Sequence, residues 1–246
     1  MNDDLVITNG KKPLVQVKEV VKSFPVGDGL ITVLKGISFD VKNGEFVSIV
    51  GPSGNGKSTL LNMITGIDRP NEGEVIVNGR EIHKMSENQL AAWRGQEVGI
   101  IFQFFQMLPA LSLLQNIILP MDFAKKYSSQ EKQDRAYQLL ETVNLADQAN
   151  KLPSMVSGGQ QQRAAIARAL ANDPTLIVAD EPTGNLDTRN ANDIFDLFVK
   201  LIDQGKTLVM VTHDKELSRR VPRVVEIIDG KITRDEFVGG AVWTGY

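Results

Sequence analysis

The sequence predicts an α/β fold, a parallel sheet flanked by helices and interrupted once by a helical insertion. Three observations carry this. Strand-type runs alternate with helix-type runs on both sides of the chain's middle, one apolar run (46–50) leads directly into a glycine-rich loop and a helix, and the stretch 104–156 loses the strand period. Strands separated by helices imply parallel pairing with right-handed crossovers. The 246 residues suffice for a sizeable core, and 42% apolar with 23% charged residues excludes disorder, collagen-like repeats and coiled coil.

The elements follow in order. Residues 14–20 and 31–41 read as strands, then 46–50, then a helix over 57–64. Glu74 to Val77 followed by Asn78-Gly79 gives a strand and a hairpin turn. Residues 98–102 form another β run. Within 104–156 the pattern is helical: Ser128 and Glu131 make a capping box, and Ala136, Leu139, Leu140 and Val143 recur on one face. The α/β pattern returns with an Ala-rich helix over 160–170, a buried strand over 176–179, a helix over 189–202, a strand over 207–212 and a last strand over 224–228 before Asp229-Gly230. The ending, 236–246, shows no period.

Charge narrows the function. With 27 Lys+Arg against 30 Asp+Glu the net charge is −3, which gives nucleic acid no support as a ligand. No cysteine means no disulfide, thiol catalysis or Cys-bound metal, and two histidines leave little scope for a His-rich metal site. The acidic opening Met1-Asn2-Asp3-Asp4, with no apolar core after it, predicts no secretory signal and a cytoplasmic location. Residues 98–121 carry no charge. Gln103, Gln106, Gln115, Asn116, Pro109 and Pro120 would leave polar groups unpaired in lipid there, so the stretch does not span a membrane.

Gly51-Pro52-Ser53-Gly54-Asn55-Gly56-Lys57-Ser58-Thr59 is a phosphate loop in the required place between strand and helix. Its glycines let backbone N–H groups close on phosphate oxygens at a helix N-terminus. Lys57 would reach the β- and γ-phosphates and Ser58 would ligate Mg²⁺. Asp180-Glu181 ends a buried strand: Asp180 suits the metal, and Glu181 suits a base for an attacking water. A guanine-reading Asn-Lys-x-Asp is lacking, since Asn150-Lys151-Leu152 is followed by Pro153, so a GTPase is disfavoured. Ser157-Gly158-Gly159-Gln160 opens the Ala-rich helix, where it reads equally as an N-cap or as a second anion site.

This ordered set, phosphate loop, Gln103 after a strand, Ser157 to Gln160, Asp180-Glu181, Asn185-Leu186-Asp187 and His213, resembles the ATP-binding cassette (ABC) family from Val15 to Ile232. The run from Ala179 to Asp187, with Leu108 to Leu111 and Asn116 to Pro120, looks like its lipoprotein-release, macrolide-export and cell-division subgroup. One departure is Val156, where the signature usually has Leu; the position stays apolar. The resemblance implies a P-loop NTPase (RecA-like) core with an N-terminal antiparallel β subdomain. The expected divisions are 1–103 (β subdomain and first part of the core), 104–156 (helical insertion) and 157–246 (signature helix and second part of the core). It implies that Phe24 stacks on adenine, that Gln103 contacts Mg²⁺ or the attacking water, and that His213 holds the γ-phosphate. Asp187 would lie at a protomer seam, with Ser157 and Gly159 facing ATP held by the other protomer. The implied protein is an ATPase using ATP and Mg²⁺, paired as a homodimer that drives a separate membrane permease and sits on the inner face of the membrane through it. An alternative is a regulatory switch acting on an extracytoplasmic enzyme or assembly through a membrane partner. A soluble repair or translation ATPase fits less well, because the chain has one cassette and no long coiled coil.

Overall fold

The computed structural model of the chain describes residues 12–238. One sheet contains β1 (Val15–Val26), β2 (Gly29–Val41), β4 (Glu72–Val77) and β5 (Arg80–Glu81), antiparallel throughout in the order β2-β1-β4-β5. The other contains β3 (Phe46–Val50), β6 (Val98–Ile101), β7 (Leu176–Asp180), β8 (Thr207–Val211), β9 (Arg223–Ile228) and β10 (Lys231–Phe237), in the order β10-β9-β3-β8-β7-β6. Its strands pair in parallel except β10, which folds back on β9. The turns Asn78-Gly79 and Asp229-Gly230 both place their residues at φ 49° and 73°, the left-handed pair that suits a tight hairpin.

The central strands are covered on both sides. Ile177, Ala179, Leu208 and Met210 enter a core shared with the helices on one face, while Leu176, Val178, Val209 and Val211 enter a second core shared with the antiparallel sheet. Such double burial explains why 176–179 is an unbroken apolar run. Each fully buried aliphatic side chain of this kind stabilises the fold by roughly 1.5–3 kcal/mol.

The helices are α1 (Lys57–Ile64), α2 (Glu87–Glu97), α3 (Leu113–Ala124), α4 (Ser129–Thr142), α5 (Gly158–Ala169), α6 (Thr188–Asp203) and α7 (Lys215–Arg219). Four of them start at the same device: Ser86, Ser112, Ser128 and Ser157 each cap a helix through a reciprocal box with the residue three positions on. Helix α2 was not anticipated from the sequence, although its box and its buried Leu90 and Trp93 were there to be read. The start of the expected helical stretch is irregular instead. Residues 104–112 form a loop with Phe105 and Gln106 at φ 51° and 50°, and buried Asn116 holds it by donating to the carbonyls of Leu108, Leu111 and Ser112 at 3.0–3.1 Å. An amide whose two N–H groups are shared among three carbonyls, while its Oδ1 accepts from the N–H of Leu108, gives this segment a fixed shape without a helix. Pro120 lies inside α3. Met1 to Asp4 and 239–246 lie outside the described residues. No helix among those residues is long and apolar enough to cross a membrane.

Candidate functional site

Four neighbouring strands, in the order β3-β8-β7-β6, deliver four of the sequence-predicted segments to one edge of the sheet. The loop 51–56 follows β3, Thr212-His213 follows β8, Asp180-Glu181 closes β7, and Gln103 lies two residues beyond β6. The carboxyl edge of a parallel sheet is where such folds bind ligands.

The loop after β3 is shaped by two glycines that nothing else could replace. Gly51 has φ 146°, and a Cβ there would run into the carbonyl of Ile227. Gly56 has φ 92° at the start of α1, with Leu34 and Val33 against it. Asn55 donates to the carbonyls of Pro52 and Ser53 at 3.2 Å, and its Oδ1 accepts from the N–H of Asp229, tying the loop to the β9–β10 turn. Pro52, Ser53 and Gly54 are exposed. Lys57 is only 7% exposed, and its Nζ donates to the carbonyls of Gly51 and Pro52 at 2.9 Å each. A buried ammonium that meets carbonyls but no carboxylate among the described residues leaves positive potential for an anion.

Next to it, Ser58 Oγ donates to Asp180 Oδ1 at 3.1 Å. Burial pushes the Asp180 carboxyl above the ordinary carboxylate value, the neighbouring Glu181 charge adds to the rise, and the Ser58 hydrogen bond and the Lys57 charge offset it only in part. The sign follows: the fold favours protonated Asp180, and its ionisation as pH rises past that value costs stability. A bound cation would reverse this, and a hydroxyl and carboxylate presented together fit a hard divalent ion.

Glu181 takes a left-handed conformation, φ 47°. For a residue with a side chain this costs roughly 1–2 kcal/mol. It is held by its own N–H, which donates to Val211 at 3.0 Å, and by its carbonyl, which accepts from Gly184 at 3.1 Å. The turn aims the half-buried carboxylate at His213, whose Nδ1 lies 2.8 Å from Glu181 Oε2. Gln103 meets the same loop from β6: its carbonyl accepts from Asn185 Nδ2 at 3.1 Å, and its side-chain amide packs over Gly184.

The remaining predicted residues lie apart from this cluster. Phe24 is 37% exposed on β1, with the Lys22 ammonium 5.0 Å from its ring centroid. Ser157 and Gly158 are exposed at the start of α5, and no hydrogen bond among the described residues joins them to the phosphate loop. Gly159 is buried: a Cβ there would lie 2.5 Å from Asn190 Oδ1. Asn190 donates through Nδ2 to Asp187 at 2.6 Å, and Asp187 caps α6. The Asn190 backbone and side-chain donors hold the Asp187 carboxyl below its ordinary value.

Comparison with known proteins places this geometry. Residues 34–184 match the family model described as ABC transporter. The chain belongs to the ABC transporter family. It is 47% identical to an uncharacterized ABC transporter ATP-binding protein of Thermotoga maritima, over 90% of this chain and 94% of that one. It is 43% identical to the lipoprotein-releasing system ATP-binding protein LolD of Bacteroides thetaiotaomicron, over 90% and 100%. The macrolide export ATP-binding/permease protein MacB of Bdellovibrio bacteriovorus is 44% identical over 91% of this chain, which spans 34% of that longer protein. A dimeric ATP-binding cassette of Methanocaldococcus jannaschii, solved in a post-hydrolysis state bound to ADP and Pi, superposes with a TM-score of 0.86 at 42% identity, covering 92% of this chain and all of that one. As an ABC cassette the chain binds ATP and is an ATPase.

Two residues of this cassette escaped the sequence reading. Gln162 is fully buried on α5 and donates through Nε2 to the carbonyl of Pro182 at 2.6 Å. Arg168, near the other end of α5, donates to the carbonyls of Phe105 and Gln106, and burial pulls its guanidinium below its ordinary value. Neither has a sequence signal beyond a polar residue on an Ala-rich helix.

Proposed function

We propose that this cassette hydrolyses MgATP with Glu181 as the general base and works as a homodimer that drives a separate membrane permease from the inner face of the membrane. The observation that carries the reading is the 2.8 Å contact between Glu181 and His213, beside the Ser58–Asp180 pair and a Lys57 ammonium with no ion-pair contact among the described residues, at one sheet edge. In this reading the amides of 51–59 and Lys57 cradle the phosphates, and Phe24 stacks on the base. Ser58, Asp180 and Gln103 would hold Mg²⁺, which when bound neutralises phosphate charge. Glu181 accepts a proton from the attacking water. His213 orients that carboxylate and faces the terminal phosphate. Ser157, Gly158, Gly159 and Gln160 offer N–H groups and a hydroxyl to ATP bound by the second protomer, with Asp187 at the seam. The dimeric, ADP-bound relative and the relatives named for release and export systems support the pairing and the permease.

The permease contact is assigned to 104–119. Phe104 and Leu108 are exposed, whereas Leu113 and Ile117 are core. A groove of about 490 Å³ opens beside them between α2 and α3, lined by Ala91, Ala92, Leu108, Leu119 and Phe123. An apolar face of a cytoplasmic helix fits it. Crosslinks from the permease that map only outside this groove would overturn that assignment. We further assign 104–156 as the unit that moves with the permease against the rest of the chain. Lys57→Ala tests the phosphate site: removing a charge-assisted contact should weaken ATP binding by roughly 10- to 100-fold. Equilibrium binding of ATP at wild-type affinity would refute it.

A further inference from the structure

We infer that Gln162 is a positioning residue that ties the signature helix to the catalytic loop of its own chain, so that engagement of Ser157 by one nucleotide sets Glu181 for the other. The inference rests on the reading of Glu181 as base and of Ser157 as a contact to the second protomer's ATP.

The left-handed turn at Glu181 exists only because its surroundings define it. Glu181 N–H is fixed to Val211 and its carbonyl to Gly184. The next carbonyl, that of Pro182, accepts its hydrogen bond from Gln162 Nε2 at 2.6 Å. Pro182 cannot donate from its own nitrogen, so among the described residues this amide is the bond that joins α5 to the 181–182 turn. Gln162 lies five residues after Ser157 on one helix. A displacement of the exposed end of α5 therefore reaches Pro182 through rigid helix and one short hydrogen bond.

The other end of the Gln162 amide argues against a purely structural role. Its Oε1 is buried without a hydrogen-bond partner. An orphaned buried carbonyl is a net cost that an apolar side chain of similar length would avoid. A residue that satisfies one donor and strands one acceptor is better explained by what the donor holds.

The same helix is tied to the other catalytic strand end. Arg168 donates to the carbonyls of Phe105 and Gln106, both left-handed, in the segment just after Gln103. Gly159 packs on Asn190, which holds Asp187. One helix thus contacts the loops of Glu181, Gln103 and Asp187, while its own capped end faces outward. A helix held this way moves as a lever and passes nucleotide state between two sites.

The test is Gln162→Met in the full chain, compared with wild type and with Glu181→Gln. The expected result is a turnover at saturating MgATP lowered about tenfold or more, a KM within about twofold of wild type, and an unfolding temperature near that of wild type, because Gln162→Met removes one buried orphan, Oε1, and leaves another, the Pro182 carbonyl. A packing role would move stability and leave that split absent. If Gln162→Met turns over normally while Glu181→Gln does not, the coupling inference fails and the assignment of the base stands. If Glu181→Gln also turns over normally, the site reading fails and the inference with it. Lost turnover accompanied by loss of the cooperative unfolding transition would make Gln162 a packing residue and overturn the inference too.

Discussion

The cassette carries two glycine-marked helix starts, and they differ in what they contain. At the first, Gly51 to Lys57, the loop brings its own buried ammonium, its own hydroxyl at Ser58 and a carboxylate within 3.1 Å of it. At the second, Ser157 to Gln160, the helix brings N–H groups and a hydroxyl but neither a cation nor an acid, and its serine turns back to cap its own helix at 3.3 Å. One end holds the ammonium, the hydroxyl and the carboxylate that the proposed phosphate and metal site needs within a single chain. The other has donors only, and in the proposed reading its missing parts come with a nucleotide that a second copy of the chain holds. That asymmetry is the physical reason the proposed function gives for a dimer, and a relative was solved as a dimer with ADP and Pi.

The largest expected effect lies at the complete end. Glu181→Gln is close to isosteric and leaves Lys57, Ser58 and Asp180 in place, so ATP should still bind while phosphate release falls by about 10²- to 10⁴-fold, the usual loss of a general base. Steady-state hydrolysis at the wild-type rate would place the base elsewhere.

A smaller pair of changes sharpens the contrast between a cap that only caps and one that also binds. Ser128 and Ser157 make the same reciprocal box. Replacing either by Ala should lower stability by about 1 kcal/mol. Only Ser157→Ala should also reduce turnover, because Ser128 faces no nucleotide in this arrangement. Equal unfolding penalties with equal, unaltered turnover would reduce the second helix start to a structural cap.

Much of this was legible in the sequence because it is written in local chemistry. The phosphate loop needs glycine where φ is positive, and Gly51 and Gly56 stand there; the Asn78-Gly79 and Asp229-Gly230 turns are readable for the same reason. The β7 run is apolar because both its faces are buried. What stayed hidden depends on contacts between distant residues. Glu181 and His213 are 32 positions apart, and only the neighbouring places of β7 and β8 bring them together. Gln162 and Arg168 look like ordinary helix polar residues until Pro182, Phe105 and Gln106 are seen opposite them. The irregular start of 104–156 was missed because its order comes from one buried amide, Asn116, rather than from a period. Helix α2 was missed although Ser86 and Gln89 signal its start.

The central claim is that the second helix start is completed by ATP on another copy of the chain, and sizing Glu181→Gln in the presence of MgATP tests it most directly. With hydrolysis blocked, ATP persists at the seam and mass action should accumulate the closed dimer. Adding Ser157→Arg places a bulky side chain at that seam and should return the protein to monomer while ATP remains bound to the phosphate loop. A nucleotide-bound Glu181→Gln that stays monomeric, or a dimer that forms undiminished with Ser157→Arg, would contradict the account.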